Sequence, residues 1–436
     1  MKKVVALVLM VSFLLSLTAA YAAGDNKHLD ILWGTTGYGN YVDYAIEHLE
    51  KTYGLDIDIE YNAKADEVLQ PQILAGNPED IVMVQQSKFD YFAAIEAGKF
   101  TDITEYLDLP VEGSDKTVKE MANPAIIDAL CVDGRAYVMM SNMNVGCICY
   151  DKKMFAEHGW EVPRCWDEFI ALCEEIKTTT DIAPFIFPGM YPYYLRQVII
   201  PMMCSCGRGL DTLKDINNME PGIWNSEEAH MAAERIQYMR DKGYFADGLV
   251  SMDHTTSQME FINGKVAMIA CGSWLENEMR DALPEGFELG VIVDPTGATP
   301  DSEKFIQVNG TMMGFPADAA NKDWIGEFLQ FYFSEENSRH VAEDCAVVLS
   351  PAAIAENEDV SAALSPFVAE CFSAAANNSA ISQMWSTWYS EFFAEWQNQV
   401  IALVSGKIDA DEYCENVEAL AQAVRDDDFI TKYRLS

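Results

Sequence analysis

Leu55-Asp-Ile-Asp-Ile-Glu-Tyr61 alternates apolar and acidic residues at every step, whereas Ile81-Val-Met-Val84 is apolar without a break. The first pattern has the period of a strand buried on one face, and the second that of a strand covered on both. Upstream, Leu29 to Trp33 is another short apolar strand, followed by the turn Gly34-Thr-Thr-Gly-Tyr-Gly-Asn40. From Tyr41 to Tyr53 the residues Val42, Ala45, Ile46, Leu49 and Tyr53 recur at helical spacing, and Gly54 ends that helix. A second helix runs from about Glu67 to Ala75, and a third is opened by Ser87-x-x-Asp90, a capping-box variant with Ser87 as the cap. This βαβαβα order specifies a parallel sheet with helices on both faces.

The alternation resumes downstream. Gly146 to Tyr150 reads as a strand and Asp151 to His158 as a helix ending at Gly159. Trp166 to Lys177 is an amphipathic helix with Trp166, Phe169, Ile170, Cys173 and Ile176 on one face. Pro184–Phe187, Val266–Cys271 and Leu289–Val293 read as buried strands, and the chain from Ser365 onward is helical. No repeat, low-complexity tract or Pro/Ser linker divides the sequence. Two α/β lobes without a linker imply that the chain passes between them more than once.

The 436 residues include 29 Lys+Arg and 69 Asp+Glu, a net charge of −40, and half of them are apolar. At roughly 150 residues per domain this length accommodates two or three domains. So acidic a surface repels nucleic-acid phosphates and anionic lipid headgroups, which excludes DNA binding and membrane-surface docking. Lys2 and Lys3, the apolar run from Val4 to Leu17 and Ala20-Tyr21-Ala22 form the pattern of a secretory signal peptide. Cleavage is expected after Ala22. None of the eleven cysteines lies near that point, so no lipid-acceptor cysteine starts the exported chain. Cys147/Cys149 and Cys204/Cys206 have C-x-C spacing. A tetrathiolate metal site is one reading; buried free thiols or ordinary disulfides are the other, favoured by the apolar run around Cys147.

Catalytic motifs are missing from the sequence. The six histidines are scattered, and there is no His-Glu-x-x-His, nucleophile elbow or phosphate loop. The glycines Gly34, Gly37 and Gly39 are spaced G-x-x-G-x-G, not as a dinucleotide fingerprint, with Tyr38 where a pyrophosphate would approach. No cofactor is expected.

Several stretches, in order along the chain, carry a resemblance. They are Gly54-Leu-Asp-Ile-Asp-Ile-Glu60 with Leu74-Ala-Gly-Asn-Pro-Glu-Asp-Ile81, and Asp133-Gly-Arg-Ala-Tyr137 with Tyr150-Asp-Lys-Lys-Met-Phe155. Next come Gly159-Trp-Glu-Val-Pro-Arg-Cys-Trp-Asp-Glu-Phe169 and Phe261-Ile-Asn-Gly-Lys-Val-Ala-Met-Ile-Ala-Cys-Gly-Ser-Trp274. Leu403-Val-Ser-Gly-Lys-Ile-Asp-Ala-Asp-Glu412 completes the set. From about Leu29 to Asp427 the chain resembles extracellular solute-binding proteins of family 1, the maltose-binding-protein-like components of carbohydrate ABC importers. It departs from them at Arg164-Cys165, where Pro-x-Thr-Trp is usual, and in lacking the lipid-acceptor cysteine of Gram-positive members. The resemblance implies the type II periplasmic-binding-protein fold: two doubly wound α/β lobes joined by a hinge, with ligand in the cleft. The boundaries expected are 23–140 plus 294–333 for the first lobe, and 141–293 plus 334–436 for the second. It further implies a monomer that passes a neutral carbohydrate to permease subunits without catalysis.

A sugar site needs aromatic rings for apolar faces and amide or carboxylate groups for hydroxyls. Trp274 is the first candidate, standing at the carboxyl end of the strand Val266–Cys271, where open α/β sheets bind ligands. Similar proteins place a sugar-stacking Trp here; the alternative is a core Trp. Glu276 and Asn277 follow it, reaching ligand or capping the helix. The first strand-helix turn offers Thr35, Thr36, Tyr38 and Asn40, and Gln85, Gln86 and Asp90 follow the third strand. By resemblance, Asn144 lies in a crossing segment and Asn309-Gly310 in a turn near the cleft, while Tyr191, Tyr193 and Tyr194 follow Phe187-Pro-Gly and are candidates to line the second lobe. Trp385 and Trp388 fall where the family's C-terminal helices reach ligand, although Trp385, Trp388, Phe392 and Trp396 also form a stripe of core spacing. The segment Gly272-Ser-Trp-Leu-Glu-Asn-Glu-Met279 resembles the subset associated with N-acetylglucosamine and chitobiose uptake. A secreted carbohydrate-active enzyme and a sugar-sensing receptor subunit are the alternatives.

Overall fold

The computed structural model describes residues 26–34, 40–84 and 89–435, with the backbone alone at Ala125 and Glu356. The expected signal peptide lies outside them. The strands are β1 (His28–Gly34), β2 (Asp56–Asn62), β3 (Ile81–Met83), β4 (Val138–Met140), β5 (Asn144–Asp151), β6 (Ala183–Ile186), β7 (Val266–Gly272), β8 (Leu289–Ile292), β9 (Phe305–Asn309), β10 (Met312–Gly314) and β11 (Ser379–Ile381). They form two sheets, of order β2-β1-β3-β10-β4 and β11-β9-β5-β7-β6, with β8 pairing β5. The molecule is thus two-lobed α/β, as expected.

Local structure follows the patterns read from the sequence. β2 runs parallel to β1 at the edge of its sheet and keeps Asp56 and Asp58 exposed, which protects the edge from pairing with other chains. The helix Asp43–Tyr53 buries Ala45, Ile46 and Leu49 and stops at Gly54, whose φ of 67° is a left-handed conformation that glycine adopts without strain. β5 is buried along its whole length because β7 pairs on one side and β8 and β9 share the other.

Among the described residues, three crossings join the lobes. Two run side by side, Ser141–Met143 between β4 and β5 and Gly310–Thr311 between β9 and β10. Ser141 N donates to Thr311 O at 2.7 Å and Thr311 N to Asn142 Oδ1 at 2.8 Å. A Cβ at Gly310 would lie 1.9 Å from the Asn142 carbonyl oxygen, so only glycine permits this approach. The third crossing lies between the helices Glu358–Ala363 and Pro366–Asn377. These positions differ from the expected boundaries. β9, assigned with 294–333 to the first lobe, pairs with β5 in the second sheet. The helix Glu335–Cys345, assigned to the second lobe, packs on Asp43–Tyr53, and Pro351–Glu356 packs on Val118–Ala122. Apolar periodicity marks these elements but carries no information on which sheet each joins.

The second lobe's core is aromatic. Trp385 lies 5.1 Å from Trp224, 5.4 Å from Phe393 and 5.3 Å from Trp396, ring centre to ring centre, and is fully buried. All eleven cysteines are free thiols, eight of them buried and Cys131, Cys206 and Cys345 half-buried. Burial pushes the Cys149, Cys271 and Cys371 thiols up, so they pack as neutral small hydrophobes. Among the described residues, the group with ligand atoms close enough for a metal is the half-exposed His28, Asp30 and Asp58, not a set of thiols. The tetrathiolate and disulfide readings are therefore set aside. No described helix is long and apolar enough to cross a membrane.

Two outcomes follow. Alkylation of the native protein labels Cys131, Cys206 and Cys345 first, and mass spectrometry after denaturation finds all eleven thiols modified. Trp385→Ala costs about 3–5 kcal/mol, the usual penalty for emptying a large aromatic core position, read as a lowered urea midpoint.

Candidate ligand-binding site

At the end of β7 the chain turns through Gly272-Ser273-Trp274. Ser273 N donates to Val145 O at 2.9 Å, and Val145 N donates to Ser273 Oγ at 3.2 Å. These bonds stitch the turn to the start of β5. The Trp274 ring folds back over Gly272, where a Cβ would lie 2.2 Å from the ring, so the glycine makes room for the indole. Trp274 then opens the short helix Leu275–Glu278.

The far side of the indole meets Tyr194 edge-on, with ring centres 6.0 Å apart. Tyr194 Oη is 2.8 Å from His254 Nδ1, His254 Nε2 is 2.5 Å from Glu278 Oε2, and Gln258 Nε2 donates to Glu278 Oε2 at 2.7 Å. Glu278 belongs to the helix that Trp274 opens, so the contacts close a ring: Trp274, Tyr194, His254, Glu278 and back along the backbone. Tyr193 stacks on Tyr194 at 4.8 Å, and Tyr191, 40 % exposed, lies 6.0 Å beyond. Burial pushes the Tyr193 phenol up to about 12, so it is a neutral hydroxyl at physiological pH. The result is a wall of four aromatic rings in which Trp274 is 8 % exposed and its indole Nε1 has no hydrogen-bond partner among the described residues.

The expected site residues divide into three groups. Trp274, Tyr191 and Tyr193 lie in the wall. Asn144 and Asn309 are register partners at the crossing end of β5 and β9, two residues beyond the Gly146–Gly272 pair, and so flank the Trp274 turn. The remaining described residues are placed differently. Asn40 is exposed before the first helix, and its carbonyl accepts from Asp43 N. Asp90, rather than Ser87, is the cap of the helix Tyr91–Glu96: its carboxylate accepts from Ala93 N at 2.9 Å, and Ser390 Oγ donates to it at 2.8 Å. The Asp90 contact therefore joins the lobes directly. Glu276 accepts from Ser365 Oγ, the cap of the helix Pro366–Asn377. Trp385 is core, as its helical stripe allowed. Trp388 is stacked on Tyr433 at 5.6 Å, and Tyr433 in turn meets Phe92 of the first lobe at 5.1 Å. Thr36, Tyr38, Gln85 and Gln86 lie outside the described residues, as do Thr35 and Ser87.

His254, Gln258 and Glu278 escaped the sequence reading. His254 and Gln258 have i,i+4 spacing on one helix face, which was the available signal. Nothing local relates them to Glu278 or to the tyrosines sixty residues upstream.

A family model described as bacterial extracellular solute-binding protein matches residues 44–365. Among curated relatives, the diacetylchitobiose binding protein NgcE of Streptomyces coelicolor is 26% identical over 275 residues, 62% of this chain and 57% of that protein. The multiple sugar-binding protein of Streptococcus mutans is 24% identical over 53% of each chain. The chain thus spans little more than half the length of these relatives. A solved chitin oligosaccharide binding protein superposes with a TM-score of 0.69 over 90% of this chain and 98% of its own, at 18% identity, which establishes a shared fold. With the family model covering most of its length, the chain belongs to the bacterial extracellular solute-binding protein family.

Proposed function

We propose that this protein is the exported substrate-binding component of an ABC importer, capturing a short oligosaccharide between its lobes and handing it to membrane permease subunits. The observation that carries the reading is the aromatic wall Trp274–Tyr194–Tyr193–Tyr191 at the crossing end of the second sheet, held rigid by the His254–Glu278 bond. Flat rings cover the apolar C–H face of a pyranose, and the unpartnered Trp274 N–H and the Asn144 and Asn309 amides supply bonds to its hydroxyls. The relatives named for diacetylchitobiose and chitin oligosaccharides support an N-acetylated sugar within this class. The Gly272–Met279 segment points the same way.

The engagement of the nearby carboxylates supports binding without catalysis: Glu278 bonds to His254 and Gln258, and Glu276 to Ser365. A sugar that touches both lobes favours the closed arrangement by its differential affinity, and permease recognition of that arrangement makes transport ligand-dependent.

A thermal-shift screen of the exported chain against mono- and oligosaccharides tests the reading. A ligand at one hundred times its Kd adds about 2.7 kcal/mol of stability. A shift with the sugar recovered intact supports a binding protein; recovery of cleaved sugar supports an enzyme; no shift with any sugar removes carbohydrate as the ligand. With the sugar in hand, Trp274→Ala weakens binding by the folded protein about tenfold, the equivalent of 1.4 kcal/mol, and also lowers the urea midpoint because the indole is largely buried. An unchanged Kd would take Trp274 out of the site.

A further inference from the structure

Arg196 follows directly on Tyr193-Tyr194-Leu195 and starts the helix Arg196–Cys206. It is 9 % exposed. Its Nη1 donates to Ser386 Oγ, its guanidinium lies 5.1 Å from the Phe393 ring centre, and its buried Nε has no hydrogen-bond partner. Among the described residues no carboxylate pairs with it. Seven arginines, Arg135, Arg164, Arg208, Arg240, Arg339, Arg425 and Arg434, each hold an Asp or Glu, whereas Arg235 donates to the Thr296 carbonyl and Arg280 to the Asn277 amide oxygen. With 69 acidic residues in the chain, the lack of a partner reflects placement, not scarcity.

A buried, unneutralised cation is costly, and burial pulls its pKa down to about 10, which still leaves it charged at neutral pH. The other titratable group acting on it is the Tyr193 phenol, a member of the aromatic wall. The helix that Arg196 starts has no acidic residue in its first turn, so the positive end of its dipole adds to the local potential.

The surroundings tie this cation to the ligand end of the sheet. Gln197 Nε2 donates to Cys147 O at 2.9 Å and Cys271 O at 2.6 Å, and its Oε1 fills the space that a Cβ on Gly146 would need. Gly146 pairs with both Gly272, beneath Trp274, and Gln307. Gln307 Oε1 accepts from Gln383 Nε2 at 3.0 Å, and Gln383 Oε1 is itself buried without a partner. Ser386 donates to the Gln383 carbonyl. Arg196, Gln197, Gln307, Gln383 and Ser386 therefore form one buried polar layer at the end of the sheet that carries Trp274.

Resting on the saccharide reading, we propose that Arg196 binds a carboxylate on the sugar, so that the ligand contains a uronate residue. A guanidinium presents a planar fork that matches a carboxylate with two parallel bonds. One cation with no second positive group acting on it suits one negative charge, not the two of a phosphate ester. This departs from the neutral ligand that the family resemblance implies.

Isothermal titration of the exported chain with two matched disaccharides, glucuronosyl-N-acetylglucosamine and glucosyl-N-acetylglucosamine, tests it. The uronate form is expected to bind at least tenfold tighter, and Arg196→Gln to bring the two affinities within threefold of each other. Equal or tighter binding of the neutral form by the unaltered protein overturns the proposal, and that comparison does not depend on the variant folding. Arg196→Lys, which keeps the charge without the fork, is expected to retain part of the preference. Binding of neutral chito-oligosaccharides alone would overturn the carboxylate and leave the saccharide reading intact. Binding of no sugar at all would overturn both.

Discussion

The close approach of Gly310 to Asn142 is the contact on which the two-lobed arrangement depends. Two crossing segments must pass between the sheets within hydrogen-bond distance of each other, and a side chain at Gly310 would collide with the Asn142 carbonyl. Tyr332 Oη donates to Ser141 O at 2.7 Å and Met143 N to Val348 O at 2.7 Å, so the crossing pair is also tied to the first lobe and to the segment leading to the third crossing. In addition, β5 and β9 leave this junction as neighbours, which sets Asn144 opposite Asn309 before any ligand group is considered.

The aromatic wall inherits its position from that junction. Ser273 bonds to Val145, the second residue of β5, so the Trp274 turn is registered against the strand that emerges from the crossing. The His254–Glu278 contact then returns the short helix after Trp274 to Tyr194. A ring of contacts spanning three separate chain segments costs its conformational entropy at folding, not at binding, which is the physical meaning of a preorganised site. Opposite it, the Asp90–Ser390 bond and the Tyr433–Phe92 contact join the lobes directly, so the first lobe's helix Tyr91–Glu96 and the C-terminal segment move as neighbours in this arrangement.

Charge works at two scales in this molecule. The net −40 is carried mostly by solvated side chains, and like charge of this size repels polyanions. It does not describe the interior near the wall, where Arg196 stands with a phenol, a hydroxyl and an aromatic ring for company. Desolvation makes a single buried guanidinium count for more in recognition than many solvated carboxylates outside.

How much of this was legible in the sequence can be told from particular residues. Strict alternation in Leu55–Tyr61 and the unbroken run Ile81–Val84 announced a sheet with one edge strand and one covered strand, because period alone states how many faces of a strand are buried. Gly54 announced the end of its helix, since its left-handed φ suits glycine above other residues. The place of Trp274, after a strand and at the start of a helix, was legible because it is a local arrangement. Other features required the folded chain. β9 and the helix Glu335–Cys345 joined the opposite lobes from those expected, since sheet membership is decided by long-range pairing. Asp90 became a cap and Trp385 a core ring because the competing uses of one side chain are settled by what packs against it. The sequence by itself determined the elements and their faces, and that Trp274 stands at the end of its strand. Tertiary structure alone decided that His254, Glu278 and Tyr194 meet behind Trp274 and that Arg196 is left without a carboxylate, because both depend on distances between segments that no local pattern encodes.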